Sequence, residues 1–324
     1  MKILIYAAGA VGLGIGSCLI KAGADVSIVA RKETVRWLKK EGLIRDGIFG
    51  EYRAKPNSFR AFSSLKELSS RYRYILVCCK SFDTRQCAKD LSEKKDILED
   101  NSAIVLFQNG WGNAEIFSDF FEKDLIYNAR VITGFERKKP NHVSITVHAD
   151  SIHIGSLFGG DLSKIEPLCK LISAGGIPCS VSSSIEKDLW AKMLYNCLLN
   201  PLSAILKVPY GRLAQDNNTK SIMNNIAREI FLVMKAAGYK TYWESAEQYL
   251  EVFYRELIPK TADHRSSMLQ DIEKGKRTEI ESLNGAVIRI AEEKGISVPY
   301  NTAVYSMVKF LEEGVSPQKE EIPS

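Results

Sequence analysis

Three polar side chains recur at helical spacing within the otherwise mostly apolar segment Leu189–Pro201. They are Lys192, Asn196 and Asn200, at positions i, i+4 and i+8, which place them on one face of a helix. Polar groups in such surroundings need a polar cleft, because they would otherwise be buried without partners. In such a cleft the stripe would offer one ammonium charge and two neutral amides. Spacing alone leaves a solvated helix stripe as the alternative.

A second group of polar residues lies further along the chain. Ser267 begins it, and Thr278-x-x-Glu281 has the pattern of a capping box, which predicts that a helix begins at Thr278. Glu279 would then lie in the first helical turn, where a carboxylate complements the helix dipole. Spacing alone therefore favours a surface role for these carboxylates.

The first 31 residues have the order strand, glycine turn, helix, strand. Lys2–Tyr6 and Val26–Ala30 are apolar runs typical of strands, and Val11–Ala22 is typical of a helix. The turn between them comprises Ala7, Ala8, Gly9, Ala10, Val11 and Gly12. Such a unit brings backbone N–H groups and a helix N-terminus to a pyrophosphate, which predicts a dinucleotide site.

Two details of this unit bear on the cofactor. Arg31 and Lys32 occupy the region where an NAD site has an acidic residue, so they would attract the 2′-phosphate of NADP(H). Ala7 stands in the first glycine position, and we expect it to keep a negative φ. The alternative is an α/β scaffold that binds no nucleotide.

The rest of the N-terminal half alternates short apolar runs with helical stretches. Strands are predicted at Tyr74–Cys79 and Ala103–Phe107, and a hairpin at Val143–Val147 and Ser151–Ile154. This alternation predicts an α/β fold: a Rossmann-like, doubly wound and mostly parallel sheet with a few added strands.

The pattern changes near Ser182–Ser184. From Ile185 onward the apolar period is 3.6, and an all-α C-terminal domain is predicted. The predicted helices are Ile185–Leu206, Asn218–Ala237, Tyr242–Leu257, Arg265–Glu273, Thr278–Lys294 and Thr302–Glu313. We therefore expect a dinucleotide-binding domain over residues 1–183 and a helical substrate-binding domain over residues 184–324.

Composition excludes several classes of protein. The 324 residues are 45% hydrophobic and carry a net charge of +5 without a basic stripe, so nucleic acid is not an expected partner. No apolar run is long enough to span a membrane. The four histidines lack the spacing of metal ligands, so no metal is predicted. Seven cysteines, an odd number without a C-x-x-C motif, indicate a reducing, cytoplasmic compartment.

Four stretches together resemble the 2-dehydropantoate 2-reductase (ketopantoate reductase) family over nearly the whole chain. They are the turn 7–12, Lys80 after the strand that ends at Cys79, the pattern L-W-x-K-x-x-x-N-C-x-x-N-P-L-x-A-I over 189–205, and S-S-M-L-Q-D-I…T-E-I…L-N-G over 266–285. The resemblance implies reduction of 2-dehydropantoate to (R)-pantoate with NADPH, on the way to pantothenate and coenzyme A.

The resemblance also implies roles for individual residues. Lys192 would be the catalytic general acid, and Asn196, Asn200 and Ser267 would bind the substrate. Glu279 would lie near the substrate and the nicotinamide ribose, with a part in catalysis and in cofactor binding. Arg31 and Lys80 would contact the 2′-phosphate, and Asn109 would bind the cofactor.

Tyr210 departs from the family pattern. It stands where family members have a third asparagine that contacts substrate, so a reductase of another small 2-oxo acid stays open. A non-catalytic NADP(H)-binding sensor is a further alternative, although such a protein has no need of a general acid such as Lys192. The long C-terminal helices could also build a homodimer interface.

Overall fold

The computed structural model describes residues 1–314, which divide into two compact units. The first comprises Met1–Asp188 and the second begins at Leu189. The strands are β1 Lys2–Tyr6, β2 Asp25–Val29, β3 Leu43–Gly47, β4 Tyr52–Ala54, β5 Arg60–Phe62, β6 Tyr72–Val77, β7 Leu98–Leu106, β8 Ile126–Arg130, β9 Thr133–Lys139, β10 His142–His148, β11 Ile152–Gly155 and β12 Cys179–Val181. The helices are α1 Ala10–Lys21, α2 Lys32–Glu41, α3 Thr84–Ser92, α4 Asn113–Ser118, α5 Glu166–Ala174, α6 Ile185–Leu206, α7 Tyr210–Leu213, α8 Asn217–Ala237, α9 Ala246–Val252, α10 Ser267–Glu273, α11 Asn284–Glu293 and α12 Pro299–Glu313.

The first unit contains two sheets. The larger has the order β12-β11-β8-β7-β6-β1-β2-β5 and is parallel except where β11 pairs with β8. The smaller has the order β4-β3-β10-β9. The expected doubly wound α/β sheet, followed by a helical C-terminal part, is confirmed. In the described part of the second unit no strand occurs.

The central strands are apolar because the larger sheet is covered on both faces. Along β1, Ile3 and Ile5 pack into one core, while Leu4 and Tyr6 pack into a second core on the opposite face. Successive side chains of a strand point to opposite faces, so a strand that is buried on both sides needs a continuous apolar run.

The predicted hairpin at Val143–Val147 and Ser151–Ile154 is wrong. β10 pairs with β9 and β3 in the smaller sheet, whereas β11 pairs with β8 and β12 in the larger one. The polar turn between them therefore carries the chain from one sheet to the other. The true partner, β9, was missed because its second half is the charged run Glu136–Lys139.

The start of α6 is anchored by a buried carboxylate. Asp188, 3% exposed, accepts a hydrogen bond from Ser182 Oγ at 2.5 Å. Its other oxygen lies 3.1 Å from His153 Nδ1 and 3.8 Å from an Arg130 guanidinium nitrogen. These contacts fix the first turn of the helix that, one turn later, carries Lys192.

Pro201 lies inside α6 and is compensated by a distant side chain. A proline has no N–H, so the carbonyl of Cys197 loses its helical donor. Asn284 Nδ2 donates to that carbonyl at 3.3 Å and to Asn301 Oδ1 at 3.0 Å. Asn301 donates in turn to Glu229, whose carboxylate also accepts from two backbone N–H groups at the start of α12. Asn284, the asparagine of the L-N-G motif, thus supports the proline-containing helix α6.

Replacing Asn284 by alanine should lower the free energy of unfolding by about 3 kcal/mol, because two hydrogen bonds are lost and the Cys197 carbonyl is left buried without a donor. Urea denaturation followed by circular dichroism measures the change. Asn225→Ala is the control, since within residues 1–314 the Asn225 side chain makes only a local hydrogen bond to the Ser221 carbonyl on α8. An Asn284 variant as stable as this control would contradict the argument.

Candidate functional site

The candidate cofactor residues of the first unit follow four adjacent parallel strands. In the order β2-β1-β6-β7, Arg31 follows β2, the turn 7–12 follows β1, Lys80 follows β6 and Asn109 follows β7. The carboxyl ends of parallel strands meet at one edge of a sheet, where α/β proteins bind nucleotides. The fold thus brings these candidates to the same edge.

Ala7 does not keep the expected negative φ. Its φ is 59°, in the left-handed region that favours glycine. The flanking backbone holds it there, because Cys78 N donates to the Tyr6 carbonyl and Ala8 N donates to the Val29 carbonyl, each at 3.0 Å. A single residue in this region costs on the order of 1 kcal/mol, which the surrounding sheet offsets.

The two glycines of the turn have different surroundings. A Cβ built on Gly9 would meet nothing within 4 Å, whereas one on Gly12 would lie 3.0 Å from Ile5 Cγ2 and 3.1 Å from Cys78 Cβ. Gly9 therefore leaves open space in front of the helix, and Gly12 permits close helix–strand packing. The first turn of α1 has no acidic side chain. Open space beside an uncapped helix N-terminus suits a pyrophosphate.

Alanine at Gly9 should leave stability nearly unchanged and weaken binding of the expected dinucleotide by about 10-fold or more, because the new methyl group would occupy the phosphate space. Alanine at Gly12 should instead destabilise the protein by about 1–3 kcal/mol through overpacking. Thermal denaturation and titration of NADPH fluorescence separate the two effects. Wild-type NADPH affinity in the Gly9 variant would contradict the assigned role.

Arg31 has a basic neighbour that the sequence did not reveal. Arg31 is exposed just before α2, and Arg137 of β9 reaches the first turn of that helix by donating to Thr34 Oγ1. Arg137 also donates to the Pro140 carbonyl at 2.8 Å. Partial burial, and then the positive charge of Arg31, lower the pKa of Arg137. Two like charges held close together favour an anion between them. Arg137 is visible in the sequence as part of the charged second half of β9, but its position beside α2 depends on tertiary structure.

Asn109 is held by a buried polar network. Asn113 Nδ2 donates to the Asn109 carbonyl at 3.0 Å, and Thr84 Oγ1 lies 2.8 Å from Asn113 Oδ1. Gln108 Nε2 donates to Thr84 Oγ1 at 2.6 Å. Thr84 begins α3, shortly after Lys80, so the network joins the loops that follow β6 and β7.

The second unit carries the lysine and asparagine stripe on α6. Between Leu189 and Asn200 the residues that are not buried are Ala191, Lys192, Tyr195 and Asn196. Their spacing gives one narrow, half-buried face on a helix that is otherwise buried over this segment. Asn200 continues the stripe inward and is 4% exposed. The structure thus brings Lys192, Asn196 and Asn200 onto one face.

The side chains of Tyr210 and Ser266 hydrogen-bond Asn200. Tyr210 Oη donates to Asn200 Oδ1 at 2.6 Å, and Ser266 Oγ lies 3.4 Å from the Asn200 carbonyl. Ser266 is fully buried and caps α10 by accepting from Leu269 N. Ser267, the predicted substrate ligand, is the exposed first residue of α10.

Glu279 lies in a different local structure from the one predicted. The capping box is wrong, because α11 begins at Asn284 and Glu279 precedes a short 3₁₀ turn, with 6% exposure. Both presumed capping residues are engaged with α12 instead. Thr278 N donates to Glu312, and Glu281 accepts from Tyr305 Oη. Glu279 is thus a buried carboxylate rather than a surface residue.

Residues 1–314 contain neither a cluster of side chains suited to a metal ion nor a helix long and apolar enough to cross a membrane. All seven cysteines are unpaired.

Comparison with known proteins gives concordant matches over both units. The family model described as ketopantoate reductase PanE/ApbA matches residues 3–159, and its C-terminal counterpart matches residues 184–312. The 2-dehydropantoate 2-reductase of Aquifex aeolicus is 36% identical over 96% of this chain and 97% of that protein.

Solved structures agree in fold. A PanE/ApbA family ketopantoate reductase from Ralstonia eutropha superposes with a TM-score of 0.83 at 29% identity, covering 97% of this chain and 99% of that one. D-mandelate dehydrogenase, solved with NADH and anilino(oxo)acetate, has a TM-score of 0.86 at 22% identity, with 97% and 99% coverage, and shows the shared fold alone.

Proposed function

Since the chain belongs to the ketopantoate reductase family, we propose that it reduces the C2 ketone of 2-dehydropantoate to (R)-pantoate with NADPH. The observation that carries the proposal is the polar stripe on α6, in which Lys192 and Asn196 are half-buried and Asn200 is buried, on a helix that is otherwise buried around it. That stripe offers one cationic acid and two neutral amides, which could hold a small 2-oxo acid and protonate its ketone oxygen as it is reduced.

Lys192 is proposed as the general acid. When bound, NADPH supplies a hydride to C2, and the electron pair of the C=O π bond moves onto oxygen. Lys192 stabilises this negative charge and transfers one proton from Nζ to the oxygen, giving the alcohol. The neutral amine then regains a proton from solvent.

The amides and neighbouring polar groups are proposed to orient the substrate. Asn196 and Asn200 hydrogen-bond the 2-oxo acid without neutralising the ammonium, and Ser267 can donate to a carboxylate or hydroxyl group. Glu279 is proposed to lie near the substrate and the nicotinamide ribose.

The proposed preference for NADP(H) over NAD(H) rests on cations at the end of β2. Arg31 and Arg137 lie at the first turn of α2, where a 2′-phosphate would meet two guanidinium groups. Lys80 is proposed to add a third positive charge. The rest of the cofactor would be held by the backbone of residues 7–12 and by Asn109.

A second candidate is reduction of another small 2-oxo acid by the same chemistry. Tyr210 favours it, because this buried side chain hydrogen-bonds Asn200 where family members place an asparagine that contacts substrate. A substrate that lacks the 4-hydroxyl group of 2-dehydropantoate would then lose less binding energy here.

A substrate and cofactor panel tests the proposal. NADPH and NADH oxidation are followed with 2-dehydropantoate beside simple 2-oxo acids that lack the hydroxyl group. A kcat/KM that is highest for NADPH with 2-dehydropantoate supports the first candidate. A higher value for another 2-oxo acid supports the second, and NADPH binding without turnover on any of them would reject both.

Cellular location and assembly complete the proposal. Seven unpaired cysteines favour the reducing cytoplasm. A homodimer stays a prediction. Three apolar side chains of α12 are exposed and could form its interface: Tyr300, Met307 and Phe310. Light scattering of variants with polar residues at these positions, singly and combined, tests whether a dimer is lost.

A further inference from the structure

The hydroxyl group of Tyr210 is bound to another protein side chain. Tyr210 and Asn200 are 3% and 4% exposed, and their Oη and Oδ1 atoms are 2.6 Å apart. A separation this short is typical of O–H···O rather than N–H···O hydrogen bonds. The hydroxyl therefore donates and the Asn200 amide oxygen accepts, which fixes the orientation of the amide.

The rest of the structure holds Tyr210 in this position. Its N–H donates to the His264 carbonyl at 3.1 Å, and its ring makes edge contacts with Tyr195 at 5.7 Å and with His264 at 5.2 Å between centroids. Burial raises the pKa of Tyr210 well above its ordinary value and lowers that of His264. Tyr210 thus remains a protonated donor beside a neutral imidazole throughout the physiological pH range.

The orientation decides which group Asn200 can offer to a ligand. Within the described residues, the Asn200 side chain makes no other hydrogen bond. Its Nδ2 atom is not completely buried, so a ligand can reach it. With the oxygen occupied by Tyr210, the amide N–H₂ is the group left for a ligand. Such a donor can bond a carboxylate, ketone or hydroxyl oxygen, but it cannot accept a hydroxyl hydrogen.

We propose that Tyr210 is a positioning residue, which fixes Asn200 so that its amide N–H₂ donates to an oxygen of the 2-oxo acid. This inference rests on the proposed function and assigns the specificity of that site. Tyr210 acts through the amide of Asn200, and it commits that amide to recognising acceptors. At this position the site therefore requires an acceptor oxygen, which every 2-oxo acid carries.

Steady-state kinetics of a double-variant cycle test the inference. The proteins are wild type, Tyr210→Phe, Asn200→Ala and the double variant, each confirmed as folded by its thermal melt. Tyr210→Phe should raise KM for the 2-oxo acid by about 10-fold and leave KM for NADPH and kcat within about twofold. The double variant should match Asn200→Ala, because Tyr210 acts only through that amide.

Two further variants sharpen the result. Asn200→Asp keeps an acceptor for Tyr210 but removes the amide donor, so it should raise the substrate KM at least as much as Tyr210→Phe. Tyr249→Phe is the matched control and should change nothing, because Tyr249 is fully buried in the same aromatic cluster and its hydroxyl makes no hydrogen bond in the described structure.

The outcomes separate the inference from the function on which it rests. The positioning role is overturned if Tyr210→Phe has the wild-type KM for the substrate, or if the two single effects on KM multiply in the double variant. In either case, turnover by the wild-type protein would still support the proposed function. A wild-type protein that reduces no 2-oxo acid would overturn both.

Discussion

Replacing Lys192 by alanine should lower kcat about a thousandfold and leave NADPH affinity within about twofold. The ammonium is proposed to act on charge that develops only in the transition state, so its removal should affect turnover far more than cofactor binding. Lys192 lies on the polar stripe of α6 and is not part of the dinucleotide turn 7–12. Steady-state NADPH oxidation measures kcat, and fluorescence titration measures affinity.

Two controls make this prediction specific. Lys187→Ala removes a lysine from the same helix and should keep wild-type kcat. Small primary ammonium ions added to the Lys192→Ala enzyme should restore part of the rate, because they can supply the missing proton. More than a tenth of wild-type kcat in the Lys192 variant would contradict a general-acid role.

Substitution of Arg31 and Arg137 by methionine should reverse much of the cofactor preference. Each guanidinium is expected to hydrogen-bond the 2′-phosphate, and such bonds to a charged group contribute about 1.5–3 kcal/mol. We therefore expect KM for NADPH to rise about 10-fold or more in each single variant and about 100-fold in the double variant. KM for NADH should change by less than about threefold, since NADH has no 2′-phosphate.

Arg36→Met is the matched control for the arginine pair, because Arg36 is an exposed arginine of the same helix, α2. It should leave both Michaelis constants unchanged. If KM for NADH rises as much as KM for NADPH in the double variant, the substitutions have damaged the site in general. If Arg137→Met alone leaves KM for NADPH unchanged, Arg31 binds the 2′-phosphate without a contribution from Arg137.

The elements that depend on local pattern were predictable. The unit from β1 to β2 was predicted from apolar runs and glycines, and α6 has the predicted bounds, Ile185–Leu206. In both cases burial follows directly from periodicity. The Lys192 stripe was found for the same reason, since its spacing and its apolar neighbours are visible in the sequence.

The errors concern features that tertiary contacts decide. Ala7 takes a positive φ because hydrogen bonds on both sides fix the turn, against the preference of an alanine. Thr278 and Glu281 bond α12 rather than each other, which sequence spacing cannot show. β9 was not predicted as a strand, because its second half is charged and exposed.

Partners that are distant in sequence were also hidden. Arg137 lies beside Arg31, and Asn284 supports the carbonyl that Pro201 leaves free. The Tyr210–Asn200 hydrogen bond joins α7 to α6. Tyr210, which departs from the family pattern in the sequence, therefore contacts a candidate substrate-binding residue in the structure. These pairings follow from the packing of helices and sheets, so a single sequence does not reveal them.

The most direct test of the proposed function is product analysis with the wild-type protein. NADPH and 2-dehydropantoate are incubated with the enzyme, and pantoate is quantified by chiral chromatography beside the NADP⁺ formed. We predict (R)-pantoate and NADP⁺ in equal amounts. NADPH that is bound but not consumed, or consumption that yields no pantoate, would contradict the account.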